Sequence, residues 1–462
     1  MKSPRRHKPT YDYDLVIVGG GAAGSEAAFS VADGGKSRIL LAEAHHFGGT
    51  CTNHGCVPTK ALVRTAKLLH LIRDANRFGI KVGAPEVEWR RAIGRAFHVR
   101  DHMLRFGSDP FTKAGVEVRF PCDAVLVGER KLVIGGSDEI STRSVLIAAG
   151  LEPAVPPVPG LREVGYLDNE RILELRELPN RLAVIGSGPI GSEFAQIFSR
   201  FGVQVTMVEL ANRILSTEEP ETSASVRAAF EAEGIEIRTG SKMQRVESSE
   251  GVKRIFFDSA ASIEVDEILV AVGRSLDGKA LGLHNAGIEW SSHGIKVDDQ
   301  LRTSQPWAWA AGDVVGGALF THVASEMGQI AARNALRAMH DRIDLRIVPR
   351  VTFTDPEVAS VGITEAQAKK AGLEVRVGFA RVADAEKAQI DGLVYGHVKC
   401  VADARTGELL GCHIVSENAG DMIHEAVAMM AARTPAKVVA KTMHAYPTLS
   451  ELMRSALSVA AG

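Results

Sequence analysis

The stretch Asp14–Gly24, DLVIVGGGAAG, decides how the rest of the chain is read. Asp14–Val18 has the look of a short β-strand, and it stops at GGGAAG. Gly19, Gly21 and Gly24 give a G-x-G-x-x-G spacing ahead of an alanine-rich helical stretch. Glycine at those places allows a tight turn, a close backbone approach to a pyrophosphate, and close helix–strand packing. The helix N-terminus adds unpaired N–H groups and a positive dipole end. Taken alone, the loop is equally a plain strand-to-helix turn. A second apolar run, RILLAE, ends at Glu43, nineteen residues after Gly24, where a carboxylate can accept hydrogen bonds from ribose hydroxyls.

The pattern recurs. LAVI (Leu182–Ile185) runs into GSGPIG, with Gly186, Gly188 and Gly191, and VQVTMVE ends at Glu209, eighteen residues after Gly191. Two complete strand–loop–helix–strand–acid units predict two dinucleotide sites. Glu209 would repel a 2′-phosphate, so the second site should prefer NAD(H) to NADP(H). Arg213 leaves NADP(H) as the lesser possibility and is otherwise a solvated surface charge.

Composition narrows the function class. The chain has 462 residues, 45% of them hydrophobic, with 54 Lys+Arg against 56 Asp+Glu. It is long enough for several domains, and it lacks the basic excess that a nucleic-acid or membrane-surface partner would call for. No run is long and apolar enough to predict a membrane span. Residues 1–11, basic and proline-containing, read as a flexible tail rather than a signal peptide. Five cysteines are a sparse, odd set that suits a reducing cytoplasm better than a secreted disulfide framework.

Two of those cysteines stand in GGTCTNHGCVPTK, Gly48–Lys60. In a regular helix residues five apart have Cα atoms about 8–9 Å apart, whereas a disulfide needs them within about 7 Å. A redox pair would therefore require a distorted turn, with Gly55 permitting it, Pro58 limiting helical bonding, and an amphipathic helix resuming at Lys60. A thiolate near that helix start and near Lys60 would be favoured. His45, His46, Cys51, His54 and Cys56 could instead be drawn as a metal cluster, and a static staple is a third reading. No second C-x-x-C or H-x-x-x-H pair completes a zinc site, and no metal is expected. Redox cycling uses most of the neighbouring features.

With both loops and this segment in view, the chain resembles the class I pyridine nucleotide–disulfide oxidoreductases, which include dihydrolipoamide dehydrogenase, glutathione reductase and mercuric reductase. GGTCTNHGCVPTK is close to that family's G-G-T-C-x-N-x-G-C-x-P-[ST]-K pattern, and the likeness runs from about Tyr13 to about Leu457. It includes WAAGDVVGG (Trp309–Gly317), AVGR (Ala271–Arg274) and VTFTDPEVASVG. AAG at Ala148–Gly150 departs mildly from the usual A-T-G.

The resemblance implies an α/β fold. Two Rossmann-like dinucleotide-binding domains, for FAD and NAD, would be followed by a C-terminal α+β dimerisation domain. Expected boundaries are 12–150 and 276–345 for the FAD and central parts, 151–275 for the NAD domain and 346–462 for dimerisation. It implies a homodimer with shared active sites, FAD on the first loop and NAD(H) on the second. Cys56 would lie nearest the flavin and form a redox-active disulfide with Cys51, the interchange thiol. Lys60 and Glu193 match an ion pair beside the flavin. Gly49, Thr50, Asp123, Ala124, Gly312 and Asp313 fall at FAD contacts, and Gly273 at the close of the NAD domain.

Near the C-terminus, MHAYPTLSE (Met443–Glu451) keeps the family's glutamate, Glu451, but places Tyr446 where a proton-shuttling histidine usually stands, contributed across the dimer. A phenol is a poor base at neutral pH beside an imidazole. In an extended segment His444 would share a face with Tyr446 and is the alternative base; His54 is another candidate. Cys122, Cys400 and Cys412 read as small buried residues, and Met429–Met430 as packing. The expected function is an FAD-dependent NAD(H):thiol–disulfide oxidoreductase most like dihydrolipoamide dehydrogenase, with a dithiol or lipoyl-carrier partner. A mercuric reductase-like NAD(P)H reductase of metal ions or reactive oxidants is the second hypothesis, with mercuric reductase proper disfavoured because SALSVAAG lacks that enzyme's vicinal cysteine pair, and a flavoprotein redox sensor with little turnover is the third.

Overall fold

The computed structural model describes residues 11–462; the preceding MKSPRRHKPT, most of the expected flexible tail, lies outside the described residues. The chain divides into two compact units. The first gathers the chain up to Pro58 with Phe97–Pro153 and Arg274–Asp344; the second gathers Thr59–Ala96, Ala154–Gly273 and Leu345–Gly462.

In the first unit, Leu15–Val18 of β1 (Tyr13–Val18), paired on both sides, are apolar and buried, as the centre of a parallel sheet between helical layers requires. Strand β1 pairs in parallel with β2 (Ile39–Ala42) on one side and with Asp138–Ile147 on the other. The strand Ala308–Ala310 joins the far side of Asp138–Ile147, again in parallel. Helix α1 (Ala22–Val31) packs against the helix Thr321–Arg337 through small residues. A Cβ on Gly328 would stand 2.1 Å from the Ala23 carbonyl oxygen, so that approach needs a glycine.

After β2 comes the short α2 (Gly49–Asn53), and then α3 (Cys56–Asp74). Helix α3 begins at Cys56 rather than at Lys60, where the sequence reading restarts it. Pro58 falls in the first turn, where the N–H it lacks would have no intrahelical acceptor anyway. Cys122 lies half-buried in the bend between Glu117–Arg119 and Ala124–Gly128, less enclosed than the small buried residue expected from the sequence.

The second unit carries a four-stranded parallel sheet in the order Glu236–Arg238, Gln204–Val208, Arg181–Ile185, Glu267–Val270. The helix Pro189–Arg200 follows the glycine loop. C-terminal to these, five antiparallel strands form a sheet ordered Arg350–Thr352, Glu357–Gly362, Leu409–Ser416, His397–Asp403, Val375–Arg381. Its core holds Cys400, Cys412, Met429, Met430 and Met453, all buried; the Cys400 and Cys412 sulfurs pack 3.9 Å apart. The architecture is the α/β class with two Rossmann-like folds and an α+β C-terminal domain. Among the described residues no helix is long and apolar enough to cross a membrane.

Candidate active site

The first glycine loop is built by exclusion of side chains. Gly19 takes φ +104°, and a Cβ there would lie 2.4 Å from the Ala148 carbonyl oxygen. A Cβ on Gly24 would lie 1.8 Å from the Gly19 carbonyl oxygen, and one on Gly49 would lie 2.8 Å from Gly21 Cα. Gly21 caps α1 without any side-chain bond, so its first-turn N–H groups stay open to an anion. Glu43 is buried and its carboxylate accepts from Gly20 N at 2.6 Å, His45 N at 2.7 Å and His46 N at 2.9 Å. Asp123 and Ala124 stand where the loop after Glu117–Arg119 enters the next strand.

Arg274 joins two of the residues assigned to FAD and was given no role in the sequence reading. It donates to Asp313 Oδ2 at 2.9 Å, to Thr50 Oγ1 at 3.2 Å and to the Leu151 carbonyl. Burial pushes the Asp313 carboxyl up and the Arg274 charge opposes that push. Arg274 Nε is buried with no hydrogen-bond partner among the described residues. A Cβ on Gly312, at φ +80°, would meet the Ala23 Cβ at 2.9 Å. This side-chain-free cradle with open N–H groups and buried polar atoms fits the phosphates and ribityl chain of FAD.

The second loop repeats the scheme within its own unit. Gly186 has φ +98° and its Cβ would meet the Ala271 carbonyl oxygen at 2.5 Å; a Cβ on Gly191 would meet the Gly186 oxygen at 2.0 Å. Gly188 caps the helix Pro189–Arg200 without a side-chain bond, and Gly273 closes the strand end at φ +123°. Glu209 accepts from Ser187 N at 2.9 Å, Ser187 Oγ at 2.6 Å and Ala211 N at 2.7 Å. Arg213 is not a solvated charge. Its guanidinium donates to the Glu218 carbonyl at 2.7 Å, the Ser216 carbonyl at 2.6 Å and Ser223 Oγ at 2.8 Å.

Cys51 lies half-buried within α2 and Cys56 lies exposed at the first position of α3. Gly55 serves by close approach rather than by a left-handed backbone, since its Cβ would stand 2.9 Å from the Thr50 oxygen. Asn53, which the sequence reading passed over, ties the segment down by donating to the carbonyls of Phe47 at 2.7 Å and Gly49 at 2.9 Å. Cys56 Sγ is 3.8 Å from Thr321 Oγ1. The His54 ring meets His46 edge-on, with centroids 5.0 Å apart.

Lys60 and Glu193 form a two-oxygen ion pair at 2.9 and 2.7 Å. Glu193 is almost wholly buried and also accepts from Phe353 N at 2.9 Å, while the Lys60 ammonium lies 4.9 Å over the Phe353 ring. The carboxylate thus has its charge met from several directions, which a buried acid requires.

The C-terminal segment departs from expectation. His444 and Tyr446 do not share a face: His444 turns inward while Tyr446 stays 70% exposed. The His444 Nε2 lies 3.1 Å from Glu425 Oε1 and its Nδ1 lies 3.1 Å from the Thr442 carbonyl oxygen. Glu451 opens the last helix and accepts from Thr448 N at 3.3 Å.

This is the anatomy of a flavin- and nicotinamide-dependent disulfide oxidoreductase. The chain belongs to the pyridine nucleotide-disulphide oxidoreductase family, matching it over residues 13–328 and matching that family's dimerisation domain over residues 348–457. The family uses FAD and NAD(P)H. A mercuric reductase of Bacillus cereus is 36% identical over 455 residues, covering 97% of this chain and 71% of that protein. A dihydrolipoyl dehydrogenase of Bacillus subtilis (strain 168) is 35% identical over 453 residues, covering 96% and 97%. Among solved structures, the HOCl-induced flavoprotein disulfide reductase RclA of Escherichia coli is 29% identical with TM-score 0.86, covering 97% and 100%. Its Cu(II) complex has the same TM-score at 28% identity.

Proposed function

We propose that this chain is an NADH-dependent flavoprotein reductase that passes electrons through Cys51 and Cys56 to a thiophilic metal ion. The observation that carries the reading is the capture of His444. Both of its ring nitrogens face acceptors, the Glu425 carboxylate and the Thr442 carbonyl. With Glu425 on one ring nitrogen and the Thr442 carbonyl on the other, the imidazole is engaged by groups of its own chain. Tyr446 offers a phenol in place of the family's imidazole. Exchange with an organic dithiol needs a base for each departing proton, whereas a thiolate takes up a soft cation directly. The likeness to mercuric reductases and to RclA, which has been solved with Cu(II), supports the same choice.

Bound FAD supplies the relay of an electron pair from the nicotinamide to the disulfide. The oxidised Cys51–Cys56 pair takes up two electrons and two protons to become a dithiol. Reoxidation returns the disulfide and passes the two electrons to one divalent ion or to two Cu(II) ions, with two protons released. Cys51 meets the acceptor and Cys56 remains on the flavin side. Glu209 selects NADH, because its carboxylate occupies the ribose end of the second site and Arg213 is committed to its own loop rather than free for a 2′-phosphate.

Steady-state NADH oxidation under nitrogen tests this. Turnover with Cu(II) or Hg(II), and little NAD⁺ reduction by dihydrolipoamide, is the expected result; the reverse ranking overturns it. Dihydrolipoamide turnover is the second reading, favoured by the retained Glu451 and by the full-length likeness to dihydrolipoyl dehydrogenases.

A further inference from the structure

We propose that the Thr321 hydroxyl holds the Cys56 thiolate, setting how much of the reduced enzyme carries charge on that sulfur. The inference rests on the reading that Cys56 is the flavin-side thiol. Sequence reasoning assigned thiolate stabilisation to Lys60 and to the start of α3. The structure redistributes that task. Lys60 spends its charge on Glu193, with both carboxylate oxygens within 2.9 Å of its ammonium. A neutralised pair exerts little net field on a sulfur one helical turn away.

A hydroxyl reaches the sulfur. Thr321 Oγ1 lies 3.8 Å from Cys56 Sγ, within hydrogen-bond range for sulfur, across 265 residues of sequence. No other hydrogen bond of that hydroxyl occurs among the described residues. A threonine O–H has one proton to give. Given to a thiolate, it stabilises the charged form and lowers the thiol pKa. Thr321 is also the first residue of the helix Thr321–Arg337, and Cys56 is the first of α3. The positive end of the 17-residue helix therefore lies beside the sulfur that the hydroxyl contacts. The helix alone would favour negative charge in that neighbourhood; the hydroxyl gives it an address. The titratable groups on the segments that meet there include Cys51 within α2, His54 just after it, Lys60 on α3, and His322 and Glu326 on the helix Thr321–Arg337.

The test is a pH titration of the long-wavelength thiolate-to-flavin absorbance in the two-electron-reduced holoenzyme, under nitrogen. Wild type is compared with Thr321→Val, which keeps the shape without the O–H, and Thr321→Ser, which keeps the O–H. The expected result is a midpoint raised by about one unit in T321V, a tenfold loss of thiolate at the wild-type midpoint, and recovery to within a few tenths in T321S. A T321V midpoint equal to wild type overturns the proposal, as does a T321S midpoint that moves with T321V. If T321V holds no flavin, the alkylation rate of Cys56 by iodoacetamide is compared between T321S and Thr321→Ala over the same pH range. Equal profiles overturn the proposal, and a T321A profile displaced to higher pH upholds it. Absence of the absorbance in wild type at every pH would instead refute the flavin-side assignment of Cys56, so the two failures are distinct.

Discussion

The two dinucleotide half-sites answer one geometric demand with different fillings. Both place a left-handed glycine under a neighbouring strand end, Gly19 under Ala148 and Gly186 under Ala271, and both fit a helix glycine onto that turn, Gly24 and Gly191. They differ in the second residue of the loop. At Gly20 a Cβ would come within 3.2 Å of both Glu43 Cβ and the Phe47 ring, so the space belongs to an aromatic side chain. The second half-site has Ser187 there, and its hydroxyl donates to Glu209. The first is also gripped by further passes of the chain, through Gly49–Thr50, Arg274 and Gly312–Asp313. The lesson is that the close backbone approach is shared between the halves while the polar filling differs.

The largest effects should come from the shared element. Gly24→Ala and Gly191→Ala each drive a methyl into a carbonyl oxygen, an overpacking of about 1–3 kcal/mol or more. The first should yield chain depleted of flavin by absorbance; the second should keep the flavin and lose its bleaching by NADH at least tenfold. Equal flavin loss in both would break the assignment of separate ligands.

Next is an asymmetry in pH. Glu218, beside the second half-site's following helix (Pro220–Ala232), is held down to about 2. Burial opposes this; the His413 ring nitrogen 3.9 Å away, the Arg350 charge and a hydrogen bond from Ser360 overcome it. A depressed carboxyl stabilises the fold above its unfolded value of 4.5 and ceases to do so as pH falls toward 2. The full effect is on the order of 3 kcal/mol. Glu218→Gln should flatten the fall in melting temperature between pH 5 and 3 (roughly the window of that linkage); an unchanged slope would remove this anchor.

A smaller change is expected at Glu209→Ala. Relief of repulsion should raise the NADPH-to-NADH ratio of kcat/KM about tenfold. Arg213→Gln should leave that ratio unaltered, because the guanidinium serves its own loop. The smallest effect belongs to Ser187→Gly, which imitates Gly20. Loss of one hydrogen bond to a carboxylate, about 1–2 kcal/mol, should raise KM for NADH several-fold without altering flavin content.

Much of this was legible in the sequence because glycine spacing records close approach directly. A turn that admits no Cβ leaves few residue choices, so Gly19 and Gly24 and their counterparts Gly186 and Gly191 announce the strands and helices around them. The contacts that reassign chemistry were not legible. Arg274 reaches Thr50 across 224 residues, and His444 folds onto Glu425 on a neighbouring helix. An arginine or histidine is chemically the same letter whether free or engaged, and only tertiary contact distinguishes them. The start of α3 was misplaced for a local reason: a proline in the first helical turn looks in sequence like a barrier.

Glu43 has one more consequence. A carboxylate has about four lone-pair sites, and three backbone N–H groups already occupy Glu43. It can therefore receive a single sugar hydroxyl rather than clasp two. Of the two monodeoxy analogues of the adenosine sugar, one should be retained nearly as firmly as the natural cofactor and the other should wash out.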